Sequence, residues 1–191
     1  YQYLEQTGVL ENTWLILTSD HGEIFERGII RHEAPVYYRP SINVPLVIFP
    51  PGQDSRVDIY ENTSAIDLLP TLAHIAGEKI PGWAEGKVIA PFANPTSNEE
   101  DITTVYVYDR AKNGEITKAS FMIVRGDYKL MWFFGYEEIE TENGQVIELY
   151  DMGNDPEEMH NLYPTEKSTA DELLGVLEQK LEALNQSSSS R

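Results

Sequence analysis

Cysteine is absent from the 191 residues, which excludes disulfide bonds and any cysteine nucleophile within them. Basic residues are scarce: 14 Lys and Arg stand against 32 Asp and Glu, a net charge of −18. Binding to nucleic acid or to anionic lipid draws on Lys and Arg, so this charge repels both, and no nucleic-acid partner is expected. An anionic small molecule is also repelled at long range. Any site for one must be locally positive, most simply through a metal. No apolar run approaches the roughly 20 residues that a membrane-spanning helix needs. A basic stretch followed by an apolar one is missing from the start. The opening Tyr1-Gln-Tyr-Leu-Glu-Gln6 reads instead as the middle of a helix, so the sequence is expected to begin inside a longer protein.

What is present begins with Leu15-Ile-Leu-Thr-Ser-Asp20-His21-Gly22-Glu23. An apolar stretch stops at two hydroxyls, then an acid, an imidazole and a glycine. This order predicts a buried strand that ends in a loop carrying an oxygen donor and a nitrogen donor side by side. Active sites of open α/β sheets lie at the carboxyl ends of strands. An adjacent Asp and His there are a natural half of a divalent metal site. A purely structural reading makes Asp20 a cap and His21 a packing residue. Gly22 allows close approach of the backbone to a ligand.

The remaining elements follow from periodicity and punctuation. Residues 1–12 read as a helix end stopped near Gly8, and Trp14 to Leu17 as the first strand. Residues 19–43 form a long polar and aromatic loop, of a length associated with function. Val44 to Phe49 is a second strand with Pro45 near its start. Thr63 or Ser64 caps a helix with Ile66, Leu69, Leu72 and Ile75 on its apolar face and Gly77 as its stop. Pro70 predicts a kink, or a helix that begins properly only there. The Gly, Pro and Asn-rich stretch 78–101 carries the boundary between two parts, 1–97 and 98–191.

The second part reads as an antiparallel meander. Its strands are Thr103 to Tyr108, Lys118 to Val124, Tyr128 to Phe134 and Gln145 to Tyr150, with a tight hairpin at Gly126 and a turn at Glu142-Asn143-Gly144. A closing helix is expected, with Thr169 and Glu172 as a capping box. Ala170, Leu173, Leu174, Leu177, Leu181 and Leu184 recur on one face of it and should cover one side of the sheet. Ser187 to Ser190 reads as a solvated tail. Asp151, Asp155, Glu157 and Glu158 read as a solvated acidic turn, since calcium-loop spacing is lacking. Residues 137–191 hold 14 acids against 3 bases, so much of the negative charge falls away from Asp20 and His21.

His32 and Arg31 follow in Ile30-Arg31-His32-Glu33. Beside a metal-bound anionic ester, His32 could donate to a non-bridging or leaving oxygen. Arg31 could grip an anionic oxygen with its planar fork, or pair with Glu33 or Glu26. Asp67 and His74 read as capping and packing residues. Arg125-Gly126-Asp127 reads as a hairpin turn.

Four stretches in order carry a resemblance. Thr18-Ser-Asp-His-Gly-Glu23 is followed by Arg27-Gly28, His32, Pro35, Tyr38, Val44-Pro-Leu-Val-Ile48 and Pro51-Gly52. Ser64-Ala-Ile-Asp-Leu-Leu-Pro-Thr71 comes next, with Ala76-Gly77. Then come Arg125-Gly-Asp-Tyr-Lys-Leu130 and Glu148-Leu-Tyr-Asp-Met152 with Asp155-Pro-Glu157 and Asn161-Leu162. Together they resemble the sulfatase family of the alkaline phosphatase superfamily, over nearly the whole chain.

The resemblance implies an α/β fold: the C-terminal part of an alkaline-phosphatase-like mixed-sheet sandwich, then a small antiparallel sheet with a packed C-terminal helix. It implies hydrolysis of small-molecule or glycan sulfate esters with one divalent metal. That metal is Ca2+ by preference, with Mn2+ or Mg2+ as alternatives that an imidazole donor admits. Asp20 and His21 resemble two metal ligands, and His32 the substrate-contacting histidine. Many family members carry Asn after the Asp, whereas His is similar to a branch that hydrolyses phosphonates and phosphodiesters. The family's nucleophile motif, Cys or Ser followed by x-Pro-x-Arg and oxidised to formylglycine, is absent here, as are its paired N-terminal aspartates. Both are expected upstream. A lysine often found about eleven residues before the Val-Pro-Leu proline is Ala34, and Arg31 is the candidate substitute. Alternatives of different character are a phospho-alcohol transferase and a metal-binding module without a nucleophile.

Overall fold

The computed structural model describes residues 1–28, 37–53, 55–93, 102–137 and 144–188. The helices are α1 (Gln2–Gln6), α2 (Arg39–Ile42), α3 (Leu68–Ile75) and α4 (Lys167–Ser188). The strands are β1 (Leu15–Leu17), β2 (Val47–Phe49), β3 (Ile102–Arg110), β4 (Ile116–Arg125), β5 (Tyr128–Phe134) and β6 (Gln145–Asp151). The described residues fall into two compact units, those within 1–32 and 40–95 and those within 33–39 and 96–191.

In the first unit, α1 ends as expected: Gly8 takes a left-handed φ of 71°, which glycine adopts without steric cost, and a short 3-10 turn follows. β1 pairs antiparallel with β2, Ile16 opposite Ile48. Pro45 lies before β2, because the missing N–H of proline would break the pairing. Ser64 is the N-cap of a 3-10 turn, Ala65–Asp67, that runs into α3. Pro70 sits in the first turn of α3, where its N–H has no helical partner to lose. Asp67 is a cap, as anticipated: buried, it accepts from Ser64 N at 2.8 Å and from Lys87 N at 2.9 Å. His74, expected to pack, is exposed. Thr71 ties the connection down further by accepting from Ile89 N at 2.9 Å.

The second unit is a four-stranded antiparallel sheet in the order β3-β4-β5-β6. Gly126, at φ 56°, makes the tight turn between β4 and β5, with Arg125 opposite Tyr128. One face of the sheet presents Phe121, Ile123, Leu130, Trp132 and Leu149 to Ala170, Leu173 and Leu177 of α4, with Leu174, Leu181 and Leu184 at the margin. The apolar face read from the sequence is therefore the packed one. The capping box is not formed. α4 begins at Lys167, two residues before Thr169, and Glu172 instead pairs with Arg125 on β4 at 2.5 Å. The helix runs on through the serines to Ser188, because a serine run does not by itself stop a helix. The outer edge of β6 is closed by Asn161 and Leu162: Leu149 N donates to Asn161 Oδ1 and Leu162 N to Leu149 O.

The opposite face carries Ser120, Met122, Val124, Lys129, Met131, Phe133 and Tyr150, all buried. The segment Tyr37–Arg39 lies against it. Tyr37 N donates to Met131 Sδ at 3.3 Å, and Tyr38 Oη to Glu148 Oε2 at 2.9 Å. The sequence offered no pattern for this contact, since the segment stood inside a stretch read as loop.

Candidate functional site

β1 ends at Leu17, and the loop that follows is organised by its own polar groups. Ser19 Oγ donates to His21 O at 2.8 Å, and His21 N donates to Asp20 Oδ1 at 3.0 Å. Gly22 N donates to Ser41 O at 2.8 Å, and Ile24 beyond it is fully buried. The close approach that Gly22 permits is to the chain itself. A Cβ at this position would stand 2.0 Å from Pro40 O. Gly22→Ala should therefore shift the loop and destabilise the protein by about 1–3 kcal/mol. Thermal denaturation of the variant checks this.

Asp20 and His21 stay at the surface, their side chains 84% and 44% exposed. His21 Nδ1 lies 2.8 Å from Gly22 O. With Nδ1 as the donor of that bond, Nε2 carries the ring's lone pair. Nε2 in turn lies 3.6 Å from Asp20 Oδ2. A carboxylate oxygen and an imidazole nitrogen thus face one another at a separation that one cation can span, with metal–donor bonds of roughly 2.0–2.5 Å. A ring nitrogen oriented through a carbonyl on its other side is the usual arrangement for a histidine ligand. The Asp20 carboxyl is held below the usual carboxylate range, first by the His21 backbone N–H, then by its own, then by the imidazole. It is therefore ionised, as a ligand must be.

Among the described residues, no group of three or more His, Asp or Glu side chains is placed to hold a metal. Asp20 and His21 offer two donors of the kinds a divalent metal accepts, and two alone do not make a complete metal site. His32 and Arg31 lie outside the described residues. Arg27 pairs with Glu26 at 2.8 Å.

The acidic turn is corrected in one respect. Asp151 accepts from Gly153 N, Asn154 N and Asn154 Nδ2, as a solvated turn does. Asp155 accepts from His160 N at 2.7 Å. Glu158, however, is fully buried and pairs with Lys129, also fully buried. Charge alone suggested solvent; a partner on another element outweighs that preference. Lys129 and Glu158 are the residues that the sequence reading missed, and neither periodicity nor spacing signals them.

Comparison with known proteins places the chain. Residues 32–187 match the family model described as N-sulphoglucosamine sulphohydrolase, C-terminal. An uncharacterized sulfatase, YidJ, from Escherichia coli (strain K12) is 32% identical over 152 residues, 80% of this chain and 28% of that protein. The solved phosphonate monoester hydrolase of Agrobacterium radiobacter is 25% identical with a TM-score of 0.68, covering 96% of this chain and 38% of the other. A protein solved in complex with its substrate D-glucosamine-2-N,6-O-disulfate is 27% identical with a TM-score of 0.64, covering 95% of this chain and 37% of the other. The chain spans roughly 30% of the length of the curated relatives it matches.

Proposed function

Because the chain belongs to the sulfatase family and corresponds to its C-terminal portion, we propose that it contributes part of a divalent-metal site to a hydrolase of sulfate esters. One observation carries the reading: Asp20 Oδ2 and His21 Nε2 face each other at 3.6 Å in the loop that follows β1. Asp20 and His21 would hold the ion, Ca2+ first, with Mn2+ and Mg2+ as alternatives suited to the imidazole. A cation bound there supplies Lewis-acid stabilisation of charge on the ester oxygens. Ser19 and Gly22 fix the loop that aims the two donors. His32 is proposed to donate to the leaving or a non-bridging oxygen, and Arg31 to grip an anionic oxygen. The chain has no cysteine and no Ser-x-Pro-x-Arg run, so formylglycine is proposed to come from residues outside this sequence. The substrate class is a sulfate ester of a small molecule or glycan, in line with the disulfated glucosamine bound by one structural relative.

A second reading, hydrolysis of a phosphonate or phosphodiester, is favoured by the similarity to the phosphonate monoester hydrolase. Full-length protein assayed on paired aryl sulfate and aryl phosphonate esters separates the two. Chelation should lower hydrolysis by about 100-fold, and one of Ca2+, Mn2+ or Mg2+ should restore it. A higher kcat/KM on the phosphonate favours the second reading. Activity indifferent to chelation would remove the metal from the mechanism, and turnover by residues 1–191 alone would refute the assignment of the nucleophile elsewhere.

A further inference from the structure

β3 is an edge strand of the four-stranded sheet, and its middle carries aromatic side chains where edges are commonly guarded by charge. Tyr106 and Tyr108 are 56% and 62% exposed. Three local devices bring them beside a third ring and a cation. Tyr106 lies opposite Ser120 on β4, so the two share a face of the sheet. A bulge follows: Val107 pairs with Ala119 and Asp109 with Lys118, which leaves Tyr108 as the extra residue. Bulges re-aim side chains, and Lys118 Nζ lies 4.3 Å from the centroid of the Tyr108 ring. Gly135, at φ 77°, lets the chain run close against β4, where a Cβ would stand 2.1 Å from Thr117 O. Tyr136 comes next, and its Oη shares a hydrogen bond with Ser120 Oγ at 2.9 Å. Its ring centroid lies 4.7 Å from Lys118 Nζ. The three rings form a row, with centroids 6.2 Å apart from Tyr106 to Tyr108 and 6.3 Å apart from Tyr108 to Tyr136.

Ring faces orient an ammonium without neutralising it. Among the described residues, Lys118 makes no ion pair with a carboxylate. Asp109, across from it, turns Oδ1 to Arg110 N at 2.7 Å. A chain of net charge −18 thus keeps one positive group within a row of tyrosines. A tyrosine offers an apolar ring face and a polar hydroxyl. A sugar ring offers C–H groups on its face and hydroxyls at its rim, so the two surfaces match. The three N–H donors of an ammonium suit a sulfate on such a sugar. Nucleic acid also stacks on tyrosine, but the net charge repels it. We propose that Tyr106, Tyr108 and Lys118 form a platform for a sulfated oligosaccharide, the rings stacking on sugar and the ammonium holding a sulfate. The choice of ligand rests on the sulfate-ester reading above and narrows its substrate class to a glycan, because a small ester has no second sugar to lie along the row.

The test is calorimetric titration of the full-length protein carrying Asp20→Ala, which suppresses turnover during the measurement. The probes are tetrasaccharides from heparin and from chondroitin sulfate, their chemically desulfated forms, and inorganic sulfate. At least one sulfated tetrasaccharide should bind more tightly than its desulfated form and than inorganic sulfate. Adding Tyr106→Ala/Tyr108→Ala should weaken that binding by about tenfold or more. Lys118→Gln should weaken it by about threefold, the scale of an exposed charge pair, and leave the desulfated form unaffected. Both variants should melt close to their parent, since the changes lie at the surface. If the tyrosine pair does not fold, Tyr106→Ala alone carries the comparison. Equal affinity of parent and variants, equal affinity for sulfated and desulfated chains, or no binding of either tetrasaccharide would each overturn the proposal. So would Tyr106 and Tyr108 that resist nitration in the full-length protein, because another part of the protein then covers them. Failure of the underlying reading looks different: protein with Asp20 intact is inert on aryl sulfates, while the titrations still decide whether the platform binds.

Discussion

Asp20→Ala in the full-length protein should lower kcat/KM on an aryl sulfate by about 10³-fold or more, with the melting temperature nearly unchanged. The asymmetry follows from where the side chain sits. Asp20 is largely exposed, and its contacts are local, to His21 N and Ser19 Oγ. The fold therefore loses little. The proposed metal loses an ionised donor, and with it several kcal/mol of charge stabilisation in the transition state, at about 1.4 kcal/mol per tenfold in rate. The carboxyl is already held below its ordinary range by the His21 backbone N–H, so Asp20 stays charged to lower pH than a free aspartate. His21→Asn exchanges nitrogen for oxygen and should shift metal preference from Mn2+ toward Ca2+ while retaining more activity than Asp20→Ala. Steady-state kinetics and calorimetric titration with both ions check this. An Asp20→Ala protein with wild-type kcat/KM and unaltered metal affinity would remove Asp20 from the site.

Lys129→Met alone should be the most damaging single substitution to stability, at about 3–5 kcal/mol. It leaves the Glu158 carboxylate buried without its cation and Tyr37 O without its donor. For a chain of this size, that is a fall in melting temperature of about 10 °C or more. Glu158→Met alone should do comparable harm for the converse reason. The double variant should recover most of the loss, because both desolvated charges are then gone. Denaturant unfolding of the three proteins measures the coupling directly. A single variant within about 1 kcal/mol of wild type would mean that water reaches one of the two charges.

The elements that were legible are those set by near neighbours. Gly126 makes its turn because only local φ is at stake. The Leu173–Leu177 face of α4 packs because spacing along one helix decides which side is apolar. The strand end ahead of Asp20 and His21 was readable from residue order, although β1 stops at Leu17 and that residue is exposed where a buried strand was expected. Thr169 and Glu172 matched a capping pattern, yet the helix starts earlier and Glu172 is drawn to Arg125 on β4. That choice depends on a partner the local pattern does not contain.

By itself the sequence determined that there are no disulfides, that an acid and an imidazole follow a strand end, that a meander precedes an amphipathic helix, and that the family resemblance runs nearly end to end. Only the tertiary structure decided that Glu158 is buried, that Gly22 makes room for Pro40 O, and that Tyr37–Arg39 closes the second face of the sheet. The reason is range. Periodicity and turn chemistry act over a few residues. Lys129 and Tyr37 are 92 positions apart, and Glu158 and Arg39 are 119. A charge leaves water only when such distant partners are brought to it.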